Sequence, residues 1–177
     1  MMYFYNAIDQ DQYSDNLGQE DEDQMNIDMD MDMNMDMNMP GGIYGRDILL
    51  EDDIVKAITG EAQAYYYYEN LAELASSEEE REIIKGIQED EAKHYHWYTT
   101  ILRRMGGEIP QIPMGETPDD FEEGVKKAIL DELQANEFYL NTAYRATDPY
   151  IEMHFMHAAH DEQRHATLLQ NILINMM

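Results

Sequence analysis

From residue 51 onward, apolar residues recur every three or four positions, and the pattern is interrupted at only a few places. Ile54, Ile58, Glu61, Tyr65, Tyr68, Ala72 and Ala75 mark one face of a helix predicted over roughly residues 51–75. Ser77, with Glu80 three residues on, forms the capping-box pattern that opens a second helix. Its stripe is Ile84, Ile87, Glu91, His94, Tyr98, Ile101 and Met105, and Gly106-Gly107 ends it. Thr117-Pro118 offers N-cap and N1 residues for a third helix, with Val125, Ile129, Glu132, Tyr139 and Ala143 in register. Asp148-Pro149 does the same for a fourth, whose stripe is Phe155, Ala158, Glu162, His165, Leu169 and Ile172. Between the second and third helices, "GGEIPQIPMGETP" contains three prolines and is too long for a tight turn. It reads as a crossover running the length of a bundle. The predicted fold class is all-α: a four-helix bundle of two hairpins joined by a long crossover.

Residues 1–40 have no helical period. From Met25 to Met39 every odd position is Met or Ile and every even one is Asp or Asn. Alternation of this kind is a strand pattern, but Met, Asp and Asn are poor strand formers, and nothing else in the sequence reads as a partner strand. The segment holds eleven acidic residues, no Lys or Arg and few large apolar residues, so it is predicted to be disordered. "PGG" at 40–42 punctuates its end. The expected division is a low-complexity Met/Asp/Asn tail over 1–45 and the bundle over 46–177.

Net charge changes the picture of partners. At −27 over 177 residues, the chain is expected to repel nucleic acid and anionic membranes and to attract divalent cations. The absence of cysteine excludes disulfides, thiolate zinc sites and iron–sulfur or rubredoxin-type centres. No run approaches 18 apolar residues and the N-terminus lacks a basic n-region, so the expectation is a soluble cytoplasmic protein with no membrane partner.

The two hairpins repeat one another. "EAQAYYYYENLA" (61–72) matches "ELQANEFYLNTA" (132–143) at Glu, Gln, Ala, Tyr, Asn and Ala. "DEAKHYHWYTTIL" (90–102) matches "DEQRHATLLQNIL" (161–173) at Asp, Glu, His, Ile and Leu. Both matches fall at one ungapped offset of 71 residues, pairing Glu61 with Glu132, Glu91 with Glu162, and His94 with His165. Each of these residues lies mid-stripe, where an unpaired carboxylate costs several kcal/mol. Two divalent cations would balance four carboxylates, and each imidazole would fill a coordination position. Residues three apart are neighbours on a helix. A Glu-x-x-His from each of two helices plus one Glu from each of the others is the di-iron or di-manganese carboxylate pattern. Oxygen and nitrogen ligands without thiolate suit iron or manganese more than copper(I).

Residues 51–174 resemble the ferritin-like superfamily, and "GEAQAYYYYENLA" and "DEQRHA" are most similar to its rubrerythrin branch. The resemblance implies metal ligands at Glu61, Glu91, His94, Glu132, Glu162 and His165, with Glu91 and Glu162 as bridging, catalytic carboxylates. It implies two Fe ions, or alternatively Mn or a mixed Fe/Mn pair. The implied function is a di-iron oxidoreductase acting on O2 or H2O2, as ferroxidase or peroxidase, with an unidentified external electron donor and a homodimeric assembly. Rubrerythrins usually carry a further carboxylate one turn after the lone Glu of the third helix, where this chain has Ala135, matched by Ala64 in the first. With no cysteine a rubredoxin domain is not expected, and with three residues after Ile174 neither is a fifth helix. The alternatives are manganese-catalase-like dismutation of peroxide, or a structural protein that uses the bundle as scaffold and the acidic tail for partners or cations.

Other residues carry weaker signals. Tyr65, Tyr68, Tyr139 and Trp97 are candidates for redox roles, although aromatic stripes usually serve as core. His154, His157 and His160 form a run at spacing three that drifts off the core face, which reads as a polar helix face or a partly exposed metal patch.

Overall fold

The structure, a computed structural model, describes residues 48–176. The segment 1–45, with its Met/Asp alternation, and the boundary at its end lie outside the described residues. Four helices follow: α1 (Ile48–Leu74), α2 (Glu78–Arg104), α3 (Phe121–Arg145) and α4 (Pro149–Asn175). Helices of 27 residues, such as α1, α2 and α4, are each about 40 Å long at 1.5 Å per residue.

The helix boundaries have local causes. At α2 the Glu80 N–H donates to Ser77 Oγ at 3.2 Å, and the Ser77 N–H donates to Glu80 Oε2 at 2.9 Å, completing the capping box. The helix ends where Gly106 takes φ +81°, a conformation that disfavours any side chain, and the Gly107 N–H closes onto Leu102 O at 2.9 Å. Asp148 caps α4 through the Tyr150 N–H at 2.8 Å, with Pro149 in the first turn. The start of α3 differs from expectation. Its N-cap is Asp120, which accepts from the Glu123 N–H at 3.0 Å, rather than Thr117. Pro118 packs beside the first turn instead of starting it: a Cβ added at Gly124 would lie 3.0 Å from Pro118 Cβ and 2.7 Å from Leu71 Cδ1.

The hairpins α1–α2 and α3–α4 form the main packing surfaces, and they meet through α1 against α3 and α2 against α4. Helices α2 and α3 therefore occupy diagonal corners, and the connection between them must cross the bundle, as a ferritin-like fold requires. Two apolar clusters fill the interior. One contains Ile54, Ile58, Tyr98, Tyr139 and Phe155; the other contains Leu71, Ile84, Ile87, Val125 and Leu169. The stripe residues expected on α2, α3 and α4 are buried except Met105, which is half-buried. On α1 the run of four tyrosines faces inward through Tyr67 and Tyr68, leaving Tyr65 half-buried outside the core. Among the described residues, no helix is long and apolar enough to cross a membrane.

Candidate metal centre

Midway along the bundle, between the apolar clusters, all four helices turn polar side chains inward. Glu61 of α1, Glu91 and His94 of α2, Glu132 of α3, and Glu162 and His165 of α4 are all buried, none more than 4 % exposed. They form two overlapping groups: Glu61, Glu91, His94 and Glu162, and Glu91, Glu132, Glu162 and His165. Within each group the potential ligand atoms lie within 4.8 Å of one another, and Glu91 and Glu162 belong to both. His94 Nδ1 stands 3.2 Å from Glu162 Oε1 and 3.7 Å from Glu61 Oε2. His165 Nδ1 stands 3.4 Å from Glu91 Oε1, from Glu132 Oε2 and from Glu162 Oε2.

A cation fits this donor set. Glu91 Oε1, Glu132 Oε2, Glu162 Oε1, His94 Nδ1 and His165 Nδ1 are buried without a hydrogen-bond partner. Each such atom costs about 1–3 kcal/mol, and all five converge on one small volume. Burial drives the Glu91 carboxyl well above its ordinary range, with the charges of Glu162 and Glu61 adding to the effect. Burial and the charge of Glu162 likewise raise Glu132. Glu162 goes the other way: burial opposes its ionisation, but the facing Glu132, His165 and His94 hold it below the carboxylate range. His94 is raised, with burial overcome by Glu61 and Asp161, and His165 is raised by Asp90 and the surrounding glutamates against the same opposition. Protons therefore do in this core what divalent cations would do better, since a cation also takes up the unused lone pairs.

The outer nitrogens of both imidazoles are anchored. His94 Nε2 pairs with Asp161 Oδ2 at 3.2 Å, and His165 Nε2 with Asp90 Oδ2 at 3.3 Å. A carboxylate can only accept, so Nε2 carries a proton, and Nδ1, which faces the glutamates, is the nitrogen that a cation would take in place of a proton. Each aspartate precedes the glutamate of one motif and holds the histidine of the other. Arg164 ties them together through Asp90 Oδ2 at 2.6 Å and Asp161 Oδ1 at 2.7 Å. Hydrogen bonds from His165 and Lys93 keep Asp90 well below the usual carboxylate range despite partial burial. Tyrosines supply the matching support on the other pair of helices: the Tyr68 hydroxyl donates to Glu132 Oε1 and the Tyr139 hydroxyl to Glu61 Oε1.

The six central residues are those the sequence pattern singles out; that pattern gives the aspartates no role and reads Tyr68 and Tyr139 as core stripe or redox candidates rather than as partners of the glutamates. The signal was present in the repeat, because Asp90 pairs with Asp161, and Tyr68 with Tyr139, at the same offset of 71. Trp97 lies against the centre, its ring 5.2 Å from His94. Tyr65 does not approach it; its ring packs on Tyr66 at 5.4 Å. The His154–His157–His160 run separates by burial: His154 is buried, with Nδ1 bonded to Tyr150 O at 2.8 Å, while His157 and His160 are exposed. None of the three belongs to a metal-competent group among the described residues.

The rubrerythrin family profile matches residues 52–123, which include the first hairpin and the crossover. A Bacillus subtilis (strain 168) protein, YhjR, is 37% identical over 124 residues, spanning 70% of this chain and 86% of that protein. The chain belongs to the rubrerythrin family. Solved structures agree on the ferritin-like fold. A hypothetical protein from Pyrococcus furiosus superposes with a TM-score of 0.63 at 24% identity, over 73% of this chain and 91% of that one. A bacterioferritin-related protein from Bacteroides fragilis, described as a dodecameric thioferritin, superposes with a TM-score of 0.62 at 20% identity, over 73% and 86% of the two chains. Within this rubrerythrin-family chain the second hairpin falls largely beyond the matched profile, yet it repeats the glutamate and histidine positions of the first. Together, the family and the buried Glu/His cluster support a di-iron-type, metal-binding protein.

Proposed function

We propose that the protein is a di-iron oxidoreductase that delivers two electrons to H2O2 or O2. The observation that carries this reading is the convergence of five unpartnered buried donor atoms, drawn from the paired Glu-x-x-His motifs and Glu132, in a chain of the rubrerythrin family. Glu61, Glu91, Glu132, Glu162 and the Nδ1 atoms of His94 and His165 would hold the metal pair, with Glu91 and Glu162, common to both groups, within reach of both ions. A bound iron pair supplies the two electrons. The chain's own residues hold those positions: Asp161 and Asp90 set the imidazole tautomers, and Tyr139 and Tyr68 orient Glu61 and Glu132. Apolar clusters close the centre at either end, and a cleft between α1 and α3 gives a small oxidant access to the glutamates.

Anaerobic Fe(II) titration followed by H2O2 or O2 tests the reading. The expected result is two Fe(II) bound per chain and stoichiometric oxidation. Absence of two-iron binding together with absence of oxidation defeats it. Manganese in the isolated protein, with oxygen evolved from peroxide, would replace it by catalase-like dismutation. The double substitution Glu91→Ala with Glu162→Ala separates enzyme from scaffold, since an enzyme loses activity with its fold retained. Self-association is part of the proposal, supported by Leu130 and Leu133 on the outer side of α3, which are 60% and 38% exposed.

A further inference from the structure

We infer that the cleft above Glu61 and Glu132 takes a neutral organic hydroperoxide, and that Ala64 and Ala135 set the size of organic group it admits. This rests on the peroxide reading above and deepens it.

The cleft has a volume of about 580 Å³. Small-molecule sites commonly enclose about 300–1,000 Å³. Hydrogen peroxide needs only on the order of 60 Å³, taking its two oxygens at a water's share each. At the inner end of the cleft are Glu61, Glu91, Glu132 and Glu162. One helical turn beyond Glu61 and Glu132, the walls are the methyl groups of Ala64 and Ala135, positions related by the internal repeat. The Tyr67 ring and Met114 continue the apolar lining. Tyr67 offers its ring because its hydroxyl is committed to Gly124 O at 3.0 Å.

The crossover forms the roof. Gln63 Nε2 donates to Pro113 O at 3.1 Å, and Gly115 packs so closely that an added Cβ would lie 3.1 Å from Gln63 Cβ. The volume is therefore bounded on that side by an anchored strap. At the rim Lys127 is shared between Asp131 at 2.5 Å and Glu116 at 3.6 Å, so the rim keeps a net negative charge. The rim disfavours an anion, and the floor, its four carboxylates balanced by two divalent cations, offers an anion no net charge to offset that. A neutral molecule with an apolar body and a hydroperoxide end matches walls, rim and floor together.

The reaction balances as ROOH plus two electrons and two protons giving ROH and water. The O–O bond breaks, the alkyl-bearing oxygen leaves in the alcohol, and the terminal oxygen leaves as water. Two Fe(II) become two Fe(III), and the protons come from solvent.

Two measurements on the full-length protein test this. The first is ligand-detected NMR titration of the zinc-loaded protein with 2-phenylpropan-2-ol, the alcohol corresponding to cumene hydroperoxide. The second is single-turnover oxidation of the Fe(II)-loaded protein by cumene hydroperoxide and by H2O2. The alcohol is expected to bind the wild type and to bind at least tenfold more weakly to Ala64→Leu and Ala135→Leu. The ratio of the cumene hydroperoxide rate constant to that of H2O2 is expected to fall at least tenfold in the same variants. Circular dichroism checks folding, and either variant suffices if the other does not fold. No alcohol binding to the wild type, or an unchanged affinity and rate ratio in a folded variant, overturns the inference while leaving H2O2 chemistry in place. No oxidation by either peroxide overturns the parent reading and this one with it.

Discussion

Asp90 and His165 lie 75 residues apart in sequence and meet at 3.3 Å across the α2–α4 interface. The contact holds one imidazole in a single tautomer, and its repeat-related partner, Asp161 with His94, does the same at 3.2 Å. These carboxylates stand behind the proposed ligands, and their loss should weaken a metal site without emptying the core. Asp90→Ala and Asp161→Ala are each expected to lower metal affinity about 10–100-fold. Competition with a chromophoric chelator measures this, and Asp→Asn variants should recover part of the loss because the amide oxygen still accepts.

Removing a central glutamate should have opposite effects with and without metal. Glu91 is buried beside Glu61 and Glu162, and its burial disfavours its own charge. Glu91→Leu removes a buried carboxyl oxygen that has no hydrogen-bond partner in the metal-free protein, which should become more stable by about 1–3 kcal/mol. With metal present the order reverses. Wild type gains about 4 kcal/mol at a metal concentration 1,000 times its dissociation constant, and the variant gains less. Denaturant unfolding with and without added Fe(II) under anaerobic conditions reads both signs.

The capping box of α2 gives a pH-dependent prediction remote from the centre. Burial slightly opposes ionisation of Glu80, but hydrogen bonds from Ser77 and Ser76 outweigh it and lower its pKa below 4.5. A carboxylate depressed in the folded state stabilises above its unfolded pKa, and that contribution is lost as pH falls through the folded value. Glu80→Ala should cost on the order of 0.5–1 kcal/mol at pH 7. The gap to wild type should close as the pH drops below 4.5, as followed by urea unfolding across that range.

Deleting residues 1–40 should leave both helical content and metal stoichiometry unchanged. Among the described residues, every buried core residue lies between Leu50 and Ile172, and so does every proposed ligand. Circular dichroism and metal analysis of the truncated chain check this, and loss of the bundle would assign the segment a structural role.

The helices and the six central residues were legible because burial imposes a 3.6-residue period and the duplication repeats it at a constant offset. What was missed depends on relations that periodicity does not carry. Thr117 and Asp120 are both good N-caps three residues apart, and the choice between them follows from Pro118 packing against the first turn of α3. Within Tyr65–Tyr68, a rotation of 100° per residue moves a ring from core to rim, and four identical side chains give no clue to the inward ones. The aspartate–histidine pairs join different helices, so neither stripe reveals them. The cleft depends on the separation of α1 and α3, for which one sequence offers no pattern.

The division of ligands between the hairpins has a consequence for assembly. One group takes Glu61, Glu91 and His94 from the first hairpin and Glu162 from the second; the other takes Glu132, Glu162 and His165 from the second and Glu91 from the first. On the proposed ligand set, neither hairpin completes a cation position alone, and each lends one carboxylate to both. On that set, the first ion would clamp the hairpins in the arrangement the second requires, and loading would be cooperative, with half-loaded protein the scarce species.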